Sequence, residues 1–125
     1  MARIRVLYWK EIPVQVQVEA GGDRVSEMLD HRFQEAVDAV AMFEGSMGSD
    51  AYLEGWEWLD HGRASGNPRH LAQDMAGRFN RGLPEDLAAR ICRLHRAGRR
   101  DERPGALERW ISDRSDANRS GSISS

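Results

Sequence analysis

The sequence predicts a small α+β protein, a two-layer sandwich in which helices pack on one face of a small antiparallel sheet. Two observations lead to this prediction. Two stretches near the start alternate polar and apolar residues, which is typical of half-buried strands, and later stretches repeat apolar residues at helical spacing. A hairpin followed mainly by helices buries both kinds of apolar face as two packed layers. The predicted order is β-β-α-β-α, followed by a helical C-terminal extension.

The first two strands, residues 3–9 and 14–19, are predicted to form a hairpin. Both alternate apolar with polar residues, and the short connection holds Pro13, which is tolerated at the start or edge of a strand. The side chains expected to face the helices are Ile4, Val6, Tyr8, Val14, Val16 and Val18. The glycines at positions 21 and 22 are expected to break the chain after this hairpin.

A helix and a third strand are predicted next. Asp30 is the expected N-cap of a helix that ends at Gly45. The aromatic residues of the stretch 52–59 favour a strand, in which Gly55 would allow another group to approach the backbone closely. A loop is expected at 62–68.

Two further helices are predicted in the second half of the chain. Leu71, Met75 and Phe79 repeat at helical spacing, which indicates a helix from about residue 68 to residue 80. Pro84, followed by two acidic residues, is typical of the first turn of another helix, which is expected to end at Gly98.

The predicted organisation has three parts. An α+β domain covers residues 1–82, and a helical, basic extension covers 83–112, with a short helix around 107–111. Residues 113–125 are predicted to be disordered, because their Ser, Arg, Asp and Asn residues cannot bury a core.

Composition predicts a cytoplasmic protein without a membrane partner. The chain has 125 residues, of which 40% are hydrophobic, enough for one modest core. A single cysteine, Cys92, excludes an internal disulfide framework. The start lacks the apolar stretch of a signal peptide, and no run approaches the roughly 18 apolar residues that span a bilayer.

Charge is distributed unevenly along the chain. The formal net charge is −2, but residues 1–60 carry five basic and twelve acidic residues, whereas residues 61–125 carry thirteen basic and eight acidic residues. Such asymmetry is typical of a composite chain, or of a chain whose tail has a binding partner of its own.

The predicted sheet face opposite the helices is the first candidate binding surface. The residues expected there include Trp9, Trp56, Trp58, Tyr52, Arg3 and Arg5. Trp and Arg are enriched in protein interfaces, so this surface could bind a partner. The alternative is that a helix or the extension covers these rings, because large exposed apolar patches are rare on monomers. The net charge of −7 on residues 1–60 argues against binding of single-stranded nucleic acid there.

The second candidate is a basic patch in the extension. Its residues are Arg93, Arg96, Arg99, Arg100 and Arg103. Such a cluster could bind an acidic protein or nucleic acid, and it could also be the solvated face of a helix.

The sequence offers no catalytic set, so we predict no catalytic residues, no metal and no cofactor, and we lean against an enzyme. Four histidines are scattered along the chain without a recognisable triad. Cys92 and His95 are three residues apart on one predicted helix, but a zinc site needs two further ligands and the chain has no second cysteine.

Three stretches together resemble a small bacterial family known as "virulence factor", related to a domain of conserved virulence factor C. They are Tyr-Trp-Lys-Glu-Ile-Pro at 8–13, Arg-Phe-Gln-Glu-Ala-Val-Asp at 32–38, and Ser-Asp-Ala-Tyr-Leu at 49–53 with Trp56. The resemblance covers residues 1–80, and residues 85–125 depart from it. It implies no established activity or catalytic residue, although it implies an accessory role beside folate- and corrinoid-dependent methyl-transfer enzymes.

These observations lead to three functional hypotheses. The first is a non-enzymatic interaction module with a protein partner. The second is an accessory subunit in folate- or corrinoid-dependent one-carbon metabolism, which rests on the resemblance alone. The third is nucleic-acid binding through the arginine-rich C-terminal half.

Overall fold

Four antiparallel strands and four helices make up the part of the chain that the computed structural model describes, residues 1–110. In chain order they are β1 (Ala2–Trp9), β2 (Ile12–Ala20), β3 (Asp23–Met28), α1 (His31–Glu44), α2 (Asp50–Glu54), β4 (Trp56–Ala64), α3 (Pro68–Arg81) and α4 (Leu87–Arg96). The strands form one sheet in the order β3-β2-β1-β4. The predicted α+β class is therefore confirmed.

The main core lies between one face of the sheet and the helices. All six side chains expected to face the helices from the first two strands are buried, and Val6, Val16 and Val18 are completely inaccessible. Phe33 and Val37 of α1 belong to the same buried cluster. So do Ala72, Ala76 and Phe79 of α3 and Leu87 and Ile91 of α4. Alternation in the two strands therefore predicted the buried face of the sheet correctly.

Local signals also predicted the ends of α1 correctly. The Asp30 side chain accepts a hydrogen bond from the backbone N–H of Arg32, which satisfies one of the free donors of the first turn. Gly45 ends the helix in the left-handed conformation, with φ +78°. Asn67 caps α3 in the same way as Asp30 caps α1.

The strand β3 was not predicted. It pairs with β2 through a two-residue turn at Gly21 and Gly22, both at positive φ. We interpreted this pair only as a chain break, although two glycines between strands are also a hairpin signal. The strand lies at the edge of the sheet, and its residues are mainly polar, so the alternation that indicates a half-buried strand is weak.

The predicted third strand at 52–59 was wrong in its position. Residues 50–54 form the helix α2, and β4 begins at Trp56 and continues to Ala64, into the stretch expected to be a loop. Consequently Leu53 lies on α2 rather than on a strand, and it is 67% exposed. The observed order is β-β-β-α-α-β-α-α rather than β-β-α-β-α.

Close approach at Gly55 explains how α2 packs. A Cβ atom at this position would lie 2.6 Å from Nε1 of Trp9, a distance that real side chains do not tolerate. The Trp9 ring can therefore lie against the backbone between α2 and β4 only because residue 55 is glycine. The predicted role of Gly55 in a close approach is thus confirmed.

Gly55→Ala is expected to destabilise the protein by about 1–3 kcal/mol, because Trp9 must move out of its packed position. Gly77→Ala in α3 is the matched control. There the nearest contact of a Cβ is the flexible end of Arg81, and alanine favours a helix interior by about 0.5–1 kcal/mol. Urea denaturation of both variants tests this prediction. Equal stabilities would contradict it.

The extension packs against the same core as the rest of the chain. Leu83 and Leu107, on the C-terminal side of the predicted boundary at residue 82, belong to the buried cluster that contains the sheet. Residues 108–110 begin a helical turn. The end of that predicted helix and the predicted disordered tail lie outside the described residues, and the division into domains stays a prediction.

Candidate functional site

One face of the sheet points away from the helices, and we call it the open face. Strand pairing places its residues in three rows. The first row contains Met28, Gln15, Leu7 and Trp58, the second Ser26, Gln17, Arg5 and Asp60, and the third Arg24, Glu19, Arg3 and Arg63. Three of the four residues of the first row are apolar, and the other two rows are polar and charged.

Two large apolar side chains of the open face are exposed to solvent. Met28 is 59% exposed and Trp58 is 37% exposed. The guanidinium of Arg5 lies 4.9 Å from the centre of the Trp58 ring and also donates a hydrogen bond to the Gln17 side chain. A cation–π contact of this kind contributes about 0.5–1 kcal/mol at an exposed site. The Trp58 ring is therefore oriented before any partner arrives.

The open face is basic, although the whole chain is acidic. It carries four arginines, at positions 3, 5, 24 and 63, and two acidic residues, Glu19 and Asp60. Arg3 forms an exposed ion pair with Asp60 at 3.5 Å, and Arg24 pairs with Glu19 at 3.6 Å. The excess of two positive charges favours a partner surface that carries acidic groups.

The structure brings only part of the predicted aromatic surface together on the open face. Trp58, Arg3 and Arg5 lie there, but Trp9 is completely buried and does not belong to this surface. For Trp9 the alternative holds, that another part of the chain covers the ring. The reason is that α2 covers the end of β1, where Nε1 of Trp9 donates a hydrogen bond to the backbone oxygen of Tyr52 at 2.9 Å. Tyr52 lies on α2 and is half-buried, as is Trp56. Their rings meet edge to face.

The predicted basic patch is also only partly a surface. Arg100 is the clear correction, because its side chain is only 3% exposed and is paired with two buried carboxylates. Arg93 pairs with Asp86 at 3.3 Å. Arg103 pairs with Asp101 at 2.7 Å, and the Arg96 guanidinium lies over the Phe43 ring. Arg99 is exposed.

A group of charges with three buried side chains, Glu11, Glu44 and Arg100, joins three distant parts of the chain, and we call it the charge cluster. Its members are Lys10 and Glu11 in the turn between β1 and β2, Glu44 at the end of α1, and Arg100 and Glu102 after α4. Sequence reasoning placed Lys10 and Glu11 only in a short connection. The one signal for Glu11 was its position beside apolar residues in the stretch 8–13.

Hydrogen bonds between side chains hold all five members of the charge cluster in place. Nε and Nη2 of Arg100 donate to the two carboxylate oxygens of Glu11 at 2.7 and 2.8 Å, and Nη1 donates to Glu44 at 2.8 Å. Nζ of Lys10 donates to Glu44 and to Glu102 at 2.8 and 2.9 Å. Burial alone would raise the pKa of Glu44, but hydrogen bonds from Lys10, Ser46 and Arg100 outweigh it and lower that pKa.

Glu44→Gln is expected to weaken the pH dependence of stability in acid. The pKa of Glu44 is lower in the folded chain than its ordinary value of 4.5, so its carboxylate stabilises the fold above about that pH. This contribution is lost as the pH falls through the lowered pKa. Thermal unfolding between pH 7 and pH 3 measures the effect, with Glu54→Gln at an exposed position of α2 as control. If the melting temperatures of the wild type and of Glu44→Gln change with pH in parallel, the prediction is wrong.

A second polar contact joins the core to the segment after α4. The Tyr8 hydroxyl lies 2.9 Å from Nε2 of His61, and Nδ1 of His61 lies 3.3 Å from the Glu108 carboxylate. Burial, and the nearby charge of Glu108, raise the pKa of Tyr8. Tyr8 is inaccessible to solvent, so this chain of hydrogen bonds positions residues 105–108 rather than presenting a reactive group to a substrate.

An open cleft lies between α1 and the segment 83–88. Its volume is about 440 Å³. Alanine and leucine side chains form its floor, and Arg32, Glu35 and Glu85 line its rim. Within residues 1–110, no group of three or more His, Cys, Asp or Glu side chains could hold a metal ion. The same range contains no helix long and apolar enough to cross a membrane.

The fold and its open face define a small two-layer α+β protein whose four-stranded antiparallel sheet is covered by helices on one side. The chain belongs to the virulence factor family, whose model matches residues 7–91. This match confirms the resemblance and extends it into α4, beyond the expected limit at residue 80. Searches among curated proteins and solved structures found no match.

Proposed function

We propose that this protein is a non-enzymatic interaction module that binds another protein through the open face. The observation that carries the proposal is the pair of exposed apolar side chains, Trp58 and Met28, in one row of a sheet face that none of the helices within residues 1–110 covers. Trp and Arg are the residues that most often dominate binding energy in protein interfaces. The orientation of Trp58 by Arg5 lowers the entropy lost on binding.

The chemistry of the open face favours a partner with acidic and apolar side chains. The open face carries four arginines and two acidic residues, so it attracts an acidic protein surface. The apolar side chains of its first row supply the apolar area that is buried when the partner binds. A nucleic-acid strand fits less well. Platforms for single strands stack successive bases on several aromatic rings, whereas the open-face rows contain one aromatic ring and two carboxylates that repel phosphate.

A photo-crosslinking residue at position 58 of the full chain tests the proposal in lysate of the source organism. The matched control carries the same residue at position 42, because Met42 is a 70% exposed apolar residue of α1. Purification of the captured protein then allows its affinity for the unmodified chain to be measured. Crosslinks at 58 that are absent at 42 support the open face. Equal yields at both positions contradict it.

With that partner purified, Trp58→Ala is expected to weaken binding at least about 30-fold, the loss typical of a central aromatic residue. Met42→Ala should leave the affinity unchanged. Arg5→Gln is expected to slow association and to reduce its dependence on salt, because it removes a positive charge from the open face. Isothermal titration and association kinetics at two salt concentrations provide these measurements. An affinity unchanged by Trp58→Ala would exclude this face.

The other two hypotheses stay predictions. Binding of nucleic acid by the arginine-rich segment would require affinity that falls steeply with salt. The contacts of Arg93, Arg100 and Arg103 with carboxylates leave fewer positive charges for such binding than the sequence indicated. An accessory role in one-carbon metabolism rests on the family resemblance, and a folate or corrinoid titration of the purified protein tests it.

A further inference from the structure

The guanidinium of Arg100 occupies a site that other parts of the chain have built. Both carboxylate oxygens of Glu11 accept hydrogen bonds from it, in the planar forked geometry that guanidinium can form and ammonium cannot. A carboxylate oxygen of Glu44 and the ring nitrogen Nδ1 of His95 lie 2.8 and 3.2 Å from Nη1. Since arginine only donates hydrogen bonds, Nδ1 of His95 acts as an acceptor here. Oxygen and nitrogen acceptors therefore surround the head group.

The receiving carboxylates and the arginine come from different parts of the chain. Glu11 and Glu44 lie within residues 7–91, the range that matches the family model, whereas Arg100 lies beyond it. Lys10, the other cation nearby, is held between Glu44 and Glu102. The site for the guanidinium is thus part of the family domain, and its occupant is supplied by the segment that follows α4.

The charges of the site require a cation. Without Arg100, three carboxylates, those of Glu11, Glu44 and Glu102, would face the single positive charge of Lys10. Glu11 is 1% exposed with Arg100 in place, so its carboxylate depends on this guanidinium rather than on water. A buried carboxylate of this kind is strongly unfavourable until a charged donor reaches it.

We propose that Glu11 and Glu44 form a guanidinium-binding site, that Arg100 is its ligand within the same chain, and that an arginine presented by another peptide can occupy the site when Arg100 is absent from it. The forked contact with Glu11 makes the site selective for guanidinium over ammonium. This inference concerns a site separate from the open face, so it does not depend on the proposed function.

The test uses the full chain with Arg100→Ala and two pairs of probes. The first pair is methylguanidinium and methylammonium. The second is a capped peptide of residues 97–103 in which Arg99 and Arg103 are changed to Gln, so that Arg100 is its single arginine, and the same peptide with Arg100→Lys. At about ten times its dissociation constant, a probe that binds only the folded chain raises the melting temperature by about 4 °C. We expect saturable increases of this size from methylguanidinium and from the arginine peptide.

The other probes and the wild-type chain provide the controls. Methylammonium and the lysine peptide should have much smaller effects, and no probe should stabilise the wild type, in which Arg100 already occupies the site. If Arg100→Ala is unfolded without additions, recovery of the near-ultraviolet circular dichroism of its tryptophans provides the same readout. Equal effects of guanidinium and ammonium probes, or no effect of either, would overturn the proposal.

Discussion

Arg100→Met is expected to destabilise the fold by about 3–5 kcal/mol, because it leaves the carboxylates of Glu11 and Glu44 buried without their main partner. Methionine retains much of the apolar stem of arginine, so the loss reports mainly the charge and its hydrogen bonds. Small domains are stable by only about 5–15 kcal/mol in total. Urea denaturation monitored by circular dichroism measures the difference.

Two further variants separate this effect from a general loss of positive charge. Arg99→Met removes an exposed arginine one residue earlier and should not change the stability measurably. Glu11→Gln combined with Arg100→Met should lose less than the sum of the single variants, because the second change removes the unpaired charge that the first creates. A coupling of at least about 1 kcal/mol is expected for groups in direct contact. Additive losses would show that the bidentate pair contributes little.

Trp9→Ala is the second change with a large expected effect, a loss of about 3–5 kcal/mol. The ring is completely buried, packs against Gly55 and Tyr52, and donates its N–H to a backbone oxygen. Its removal leaves a cavity and takes away one of the two hydrogen bonds to the Tyr52 carbonyl oxygen, which keeps the backbone N–H of Gly55 as its donor. Thermal unfolding of the variant measures the loss.

Trp58→Ala is the matched control, since it removes the same side chain from the exposed open face. It should cost much less stability than Trp9→Ala. Trp9→Phe should restore most of the lost stability, because the phenyl ring fills part of the cavity but cannot donate to Tyr52. If Trp9→Ala and Trp58→Ala cost the same, the distinction between a packed and a surface tryptophan is wrong.

Local patterns predicted those parts of the fold that local forces determine. The first hairpin and α1 follow from alternation, from the Asp30 cap and from the glycine at the helix end. The edge strand β3 lacks such a pattern because it buries little apolar surface. The five-residue helix α2 depends on packing between Trp9 and Gly55, a contact between positions far apart in the sequence.

The residues of the candidate sites, too, could be placed from the sequence only where a local pattern determines their position. Trp58, Arg3 and Arg5 were expected on the outer sheet face because alternation in a strand assigns faces directly. Trp9 was assigned to the same surface, since nothing local indicates that α2 covers the end of its strand. The role of Arg100 could not be predicted, because its partner Glu11 is 89 positions away and any arginine of the extension could have filled that place.

The distance along the chain between Glu11 and Arg100 also affects the order of events during synthesis. The sheet and all four helices are encoded before Arg100, so a growing chain contains every one of these elements while the carboxylates of Glu11 and Glu44 still lack their guanidinium. Domains begin to fold as they leave the ribosome, at about 5–20 residues per second. The native contacts of the core can therefore be complete only after the segment behind α4, with Arg100 and Leu107, has emerged.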